Sequence, residues 1–237
     1  TSVYMRLISS GCSFSDSTSE EPRTWPQWLS ITLGVPLTHC GLPSAGNGVI
    51  SRDLLFKLHT YHSDDILVGV MWSGIDRKEK YGNDTFTEQE KQINGWVKNP
   101  YKFNPDDTGS WTLLNAYFQN KMSRDYFKQA NEIQHQIETL EHMLRVQWYL
   151  QANNIKYFFT NYKDAVFEFV DHPACKHLYN MLDHSKFLPS IYEFTLRQTA
   201  TSDLPDGHPS PRQQKFYTKR IILPFLRKEY GIKRARN

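Results

Sequence analysis

A chain of 237 residues with 39% hydrophobic and 22% charged residues has the size and balance of one globular domain with a sizeable core. No apolar run approaches the ~20 residues that a membrane-spanning helix needs, and a formal charge of +3 is too small to imply a nucleic-acid partner, so Lys233, Arg234 and Arg236 read as a solvated basic tail. Cys12, Cys40 and Cys175 lack paired spacing, which argues against a disulfide framework and for a reducing compartment; with no signal-peptide pattern visible, a cytoplasmic protein is expected.

Val3 to Ser9 is apolar-rich and stops at Ser10-Gly11, the pattern of a buried strand running into a turn. After a polar loop, Thr24 to Gly34 predicts a helix, with Thr24 as N-cap and Gly34 as the stop. A short strand is expected at Pro36 to Cys40. Ser44-Ala45-Gly46-Asn47-Gly48 then introduces a second helical pattern through Ile50, Leu54, Leu55 and Leu58. Asp65 to Trp72 is a continuous apolar run, as in a strand covered on both faces, so the sheet is parallel there. This alternation predicts a doubly wound sheet with right-handed crossovers.

From Arg77 to about Ser123 the chain turns polar and aromatic, and residues 77–123 read as a helical or irregular insertion after the third strand. Its aromatic residues Trp96, Tyr101, Phe103, Trp111, Tyr117 and Phe118 suit a substrate lid, an oligomer interface or a satellite core, and sequence does not separate these. Tyr126 to Ala152 predicts one long amphipathic helix, with Ile133, Ile137, Leu140, Leu144 and Trp148 as its stripe. Ile155 to Thr160 is another strand, followed by an irregular aromatic stretch to about Ser202. Pro211 to Tyr230 closes the chain as a helix bearing Phe216, Ile221, Ile222 and Leu226. There is no internal repeat, and residues 1–237 are expected to form one domain.

Gly11-Cys12-Ser13-Phe14-Ser15-Asp16 follows the first strand directly, where a small-residue turn can lift a hydroxyl onto the carboxyl edge of a parallel sheet. A serine there is a weak nucleophile until a base takes its proton, so a matching histidine is required. Of nine histidines, His208 stands out because it lies in Asp206-Gly207-His208-Pro209, just before the last helix, with a carboxylate two residues away. Such a carboxylate can hold one ring nitrogen while the other faces the serine. Asp171, His172, Cys175 and His177 have loose ligand spacing, but nothing completes a tetrahedral site, so no metal and no cofactor are assigned.

These blocks, together with Ser44-Ala45-Gly46-Asn47, resemble the SGNH or GDSL hydrolases, and in particular a "GCSF" variant that includes phage-encoded members, whose helix start Trp25-Pro26 is similar too. The resemblance runs from end to end apart from the insertion. It implies a three-layer α/β/α domain with a mainly parallel five-stranded sheet, and hydrolysis of small esters, often acetyl or acyl groups on sugars or lipids. It further implies Ser13 as nucleophile, His208 as base, Asp206 as the group that orients it, and the Gly46 N–H as an oxyanion donor.

Two positions depart from that pattern. The third strand of the family is usually followed by Gly-x-Asn-Asp, whereas Trp72-Ser73-Gly74-Ile75-Asp76 puts Ile75 where the donor Asn is expected. Either another group replaces it or the enzyme is slow; of Ser73, Asn47 and Asn83, Ser73 is favoured because it follows the strand directly, and the literal Gly82-Asn83-Asp84 reads as coincidence. Asp-x-His is also one residue shorter than the family's usual Asp-x-x-His. The expected partner is thus a small ester, such as an acylated sugar, with no nucleic acid or membrane, and the insertion is one surface through which an oligomer could form. The competing readings are an acyltransferase using the same residues and an SGNH-fold binding or structural protein without hydrolytic power.

Overall fold

The computed structural model describes residues 5–61, 65–83, 109–117, 121–198 and 207–232, with backbone alone at 81–83 and 109–110. The chain begins β1 (Arg6–Gly11), α1 (Trp25–Leu33), β2 (Leu37–Gly41), α2 (Asn47–Thr60) and β3 (Ile66–Trp72). It continues with β4 (Arg77–Asn83), β5 (Gly109–Asn115), α3 (Lys121–Phe127), α4 (Glu132–Ala152) and β6 (Lys156–Asn161). Four further helices close it: α5 (Pro173–Asn180), α6 (Ile191–Gln198), α7 (Pro211–Tyr217) and α8 (Leu223–Tyr230).

β1, β2, β3 and β6 form one parallel sheet in the order β2-β1-β3-β6, so the fold is α/β with a parallel centre. Moving from β1 to β2 and then back past β1 to β3 reverses direction, so right-handed crossovers place α1 and α2 on opposite faces. α7 and the turn after it join α1, while α4 joins α2. Every residue of β3 is buried, as its unbroken apolar run requires when both faces are covered. The described sheet has four strands, where five were expected. Phe187 makes a single parallel bridge to Phe159 of β6, but the short segments around it are held by helical turns at His184–Lys186 and Ile191–Gln198, and the ladder does not extend.

The insertion also differs from its expected helical or irregular form. Its described part is an antiparallel ribbon in which β4 pairs with β5 from Arg77 opposite Asn115 to Asn83 opposite Gly109. Charge docks this ribbon on the helices. Glu79, whose side chain is 7% exposed, accepts from Arg52 of α2 at 3.2 Å, and Lys78 reaches Glu138 of α4 at 2.5 Å. The Arg52 guanidinium also lies 3.8 Å from the centre of the Trp111 ring. Trp96, Tyr101, Phe103 and Phe118 lie outside the described residues, and Tyr117 is exposed.

The single long helix expected from Tyr126 is broken, because Asn131 restarts it: the Asn131 side-chain oxygen accepts from the amides of Ile133 and Gln134 at 2.9 and 3.2 Å, as an N-cap does. The supposedly irregular stretch after β6 contains α5 and α6. The final helix runs through as expected, but with a π-helical turn at Thr218–Ile222. Pro224 explains it, since it has no N–H for the Arg220 carbonyl one turn back, and a widened turn absorbs the misfit.

Candidate active site

All four central strands point the same way, so their carboxyl ends share one rim, where ligands of such sheets bind. Ser13 stands there, the first residue of a 3-10 turn at Ser13–Ser15 that follows β1. The turn is fixed from beneath. The Ser15 amide donates to the Cys12 carbonyl at 2.8 Å, and the buried Ser15 hydroxyl accepts from the Trp25 indole at 2.9 Å. Ser13 is thereby held with its own N–H outside the turn's hydrogen bonding, where it can donate elsewhere.

His208 arrives from the other end of the chain. Its Nε2 lies 2.7 Å from Ser13 Oγ, across 195 residues of sequence. Gly207, at φ +75°, makes the bend that presents it, a left-handed conformation that disfavours any side chain. Immediately after it, Ser210 and Gln213 form a capping box that starts α7, with the Ser210 amide donating to Gln213 Oε1 at 2.7 Å. The His208 ring rests on Phe14, centroids 4.6 Å apart. Asp206, the expected orienting carboxylate, lies outside the described residues.

One positioning residue carried no signal in the sequence. Gln214 of α7 donates from Nε2 to the Phe14 carbonyl at 3.0 Å and accepts from the Trp25 amide at 3.0 Å. A single buried amide thus joins the nucleophile turn, α1 and the helix that follows His208. A glutamine on a helix reads as surface until its burial is known.

The proposed oxyanion residues separate by geometry. Gly46 is the N-cap of α2, so its N–H also stands outside the helical ladder. A Cβ there would sit 2.4 Å from the Arg77 carbonyl, so only glycine permits this close approach. Asn47 has no amide group left to offer. Its Oδ1 accepts from the Ser73 amide at 2.8 Å, and its Nδ2 donates to the Ser73 carbonyl and to Thr139 Oγ1 at 2.9 and 3.2 Å. Asn47 is therefore a brace that pins the turn after β3 to the start of α2. Ser73 is fully buried and its hydroxyl accepts from Arg77 Nη1 at 2.9 Å. Asn83 pairs through its backbone with Gly109 at the far end of the ribbon, and its side chain lies outside the described residues. Ile75, buried, has no side-chain donor to give.

Tyr162, just past β6, completes this rim. Its ring meets Phe14 edge-on at 5.4 Å, and burial, with Asp76 nearby, pushes its phenol pKa up, so it stays protonated. Beside Ser13 and His208 opens a cavity of about 340 Å³, lined also by Asp16, Thr18, Ser19, Arg23 and Gln214. A larger cavity of about 480 Å³ between α6 and α7 has no histidine or carboxylate among its described lining residues.

Among the described residues, no other serine–histidine contact lines this cavity. Among the described residues no three His, Cys, Asp or Glu side chains gather to hold a metal ion. His172 instead caps α5, accepting from the Ala174 amide at 3.2 Å, and Cys175 is buried, as are Cys12 and Cys40, all three with free thiols. No described helix is long and apolar enough to cross a membrane.

No family model and no curated protein matches the sequence. Ten chains of solved structures match, among them an acetyl xylan esterase from the rumen bacterium Butyrivibrio proteoclasticus, at 11% identity and a TM-score of 0.43 over 97% of this chain. The chain spans 65% of that protein's length.

Proposed function

We propose that this protein is a serine hydrolase of the SGNH type that cleaves small carboxylic esters. The observation that carries the reading is the 2.7 Å contact between Ser13 Oγ and His208 Nε2 at the open rim of the sheet. A nucleophile and base within hydrogen-bond reach, beside a cavity, are the working parts of acyl transfer. Ser13 attacks the ester carbonyl, and His208 takes its proton and returns it to the departing alcohol. The N–H groups of Ser13 and Gly46 donate to the oxyanion. Water then repeats the sequence and frees the acid. Asp206 holds the second ring nitrogen of His208 in this scheme.

The cavity wall supports a hydroxyl-rich alcohol. Asp16, Thr18, Ser19 and Arg23 offer a carboxylate, two hydroxyls and a guanidinium where the leaving group would sit, which suits an acylated sugar better than a lipid. An acyltransferase would use the same residues, and product analysis with sugar acceptors distinguishes the two.

Labelling with a fluorophosphonate tests the reading. Wild-type protein is expected to be modified at Ser13, with hydrolysis of p-nitrophenyl acetate lost in parallel. A Ser13 that remains inert under these conditions turns the assignment to a binding or structural protein on the same fold, the reading that Ile75 motivates.

A further inference from the structure

Near the turn that carries the proposed nucleophile lies a half-buried cation that the scheme above does not use. Arg77, the first residue of β4, places Nη1 on the Ser73 hydroxyl at 2.9 Å and its guanidinium carbon 5.0 Å from the centre of the Tyr162 ring. Its Nε is shut off from solvent with no hydrogen-bond partner, and no carboxylate forms an ion pair with it among the described residues. Burial works against this charge, yet with Cys12, Tyr162 and Asp76 around it the pKa of the group is raised rather than lowered, so the guanidinium stays protonated. A guanidinium held in this half-buried position keeps donors that can meet negative charge arriving beside it.

Its surroundings say where that charge would form. Cys12 directly precedes Ser13, Tyr162 packs on Phe14, and Phe14 lies against His208. The Arg77 carbonyl is also what approaches Gly46 so closely. Meanwhile Ile75, two residues before it, leaves the expected side-chain donor missing.

We propose that Arg77 replaces that donor, its guanidinium stabilising the oxyanion that forms when Ser13 attacks. The inference rests on the ester-hydrolase reading. As Ser13 Oγ bonds to the carbonyl carbon, its proton passes to His208 Nε2 and the carbonyl π pair moves onto oxygen, where Arg77 and the N–H groups of Ser13 and Gly46 meet it. When that pair returns, the bond to the alcohol breaks and the alcohol leaves with the proton from His208. A guanidinium already fixed on Ser73 and Tyr162 needs no reorganisation at that moment, and charge-assisted donors are the strong ones.

The test compares Arg77→Met, Arg77→Lys and Ser73→Ala on p-nitrophenyl acetate, with circular dichroism and thermal melts to verify folding. Arg77→Met is expected to lower kcat by about 10²–10³-fold, with KM held within about threefold, since the interaction exists only in the transition state. Arg77→Lys keeps the charge but neither the Ser73 contact nor the flat ring contact, and should recover part of the loss while remaining about tenfold or more below wild type. Ser73→Ala, which only loosens the guanidinium, should fall least. A folded Arg77→Met with kcat within about threefold of wild type, or with its loss confined to KM, overturns the proposal. So does Ser73→Ala falling as far as Arg77→Met, which would make the Ser73 hydroxyl the donor. If Arg77→Met does not fold, Arg77→Lys decides alone, and wild-type kcat in it overturns the proposal. Active wild type with indifferent Arg77 variants removes Arg77 only, whereas wild type that neither hydrolyses nor labels removes the ester reading and this inference with it.

Discussion

Two serine–histidine contacts stand close together in sequence, one within β1 and one on the turn that follows it. Ser9 Oγ lies 2.8 Å from His39 Nδ1 inside the sheet, and Ser13 Oγ lies 2.7 Å from His208 Nε2 at its rim. By distance alone they are equivalent. Their surroundings differ in every respect that chemistry needs. Ser9 is fully buried between neighbouring strands, while His39 Nε2 is closed off without a partner among the described residues. Ser13 sits on a turn that frees its N–H, and both it and His208 line a cavity. Burial also drives the His39 pKa down to about 4, against the pull of Asp16, so this imidazole is neutral at pH 7 and braces the sheet. Access and an adjacent donor, rather than a short contact, separate a candidate nucleophile from a structural hydroxyl.

Replacing each serine breaks the comparison most sharply. Ser13→Ala is expected to reduce ester hydrolysis by about 10⁴-fold or more and to abolish fluorophosphonate labelling. Ser9→Ala should leave kcat and labelling of the folded protein unchanged, while costing about 1–3 kcal/mol of stability because the buried His39 nitrogen loses its partner. Mass spectrometry of the labelled peptide and a denaturant titration read both. Labelling at Ser9, or undiminished labelling in Ser13→Ala, would reverse the roles assigned here.

The histidines form the next pair. His208→Ala removes the proposed general base and should lower kcat by about 10²–10⁴-fold, whereas His39→Gln should leave turnover of the folded enzyme near wild type. Equal losses in the two variants, measured on p-nitrophenyl acetate, would remove the distinction between them.

The rim was far more legible in the sequence than the core that holds it. That Ser13 and His208 meet, and that a glycine opens α2, was readable because turns need small residues and because serine chemistry needs a base, so residue type and position relative to β1, α2 and the last helix suffice. The strands were readable for a similar reason: β3 is an apolar run of seven residues, all of them buried. What escaped was decided by contacts between distant segments. Gln214 and Asn47 look like ordinary polar residues until the fold buries them, and then their two-ended amides clamp backbone that secondary structure leaves unpaired. Arg77 reads as the start of a polar insertion, and only its contacts with Ser73 and Tyr162 turn it into a half-buried cation beside the site. The ribbon of β4 and β5 was missed because its register depends on pairing across 84–108, and its charged residues Lys78, Glu79 and Lys80 mask the alternation that marks a strand.

Gln214 offers the third way to sharpen the comparison, since it supports the Ser13 contact and has no counterpart beneath Ser9. Gln214→Ala leaves the Phe14 carbonyl and the Trp25 amide unpaired in the core, each costing about 1–3 kcal/mol. A lowered Tm is therefore expected, together with a fall in kcat at temperatures where the protein remains folded, because the turn and α7 lose their shared anchor. Gln214→Glu tests the same point, for it keeps an acceptor for Trp25 but loses the donor to Phe14. A stability loss without any change in kcat would make Gln214 a core residue only, and the alignment of Ser13 with His208 would rest on the Phe14 ring and on the Gly207 bend.

The smallest effect concerns pH. His39 is neutral in the folded state down to about pH 4, whereas an unfolded chain protonates it near 6.5. Between those values the unfolded state binds more protons, so stability is fully present above about pH 6.5 and is lost as pH falls toward 4, at up to about 1.4 kcal/mol per pH unit from this group. His135, lowered to about 4, and His142, lowered to about 3, are displaced in the same direction, chiefly by burial, and they steepen the same acid limb. His39→Gln keeps an acceptor for the Ser9 hydroxyl and removes the titration, so its unfolding free energy, followed by urea titration from pH 7 to pH 4, should decline less than that of the wild type. A slope identical in the two proteins would mean that His39 takes up its proton in the folded sheet, and the contrast between a sealed imidazole and a working one would then have lost its electrostatic basis.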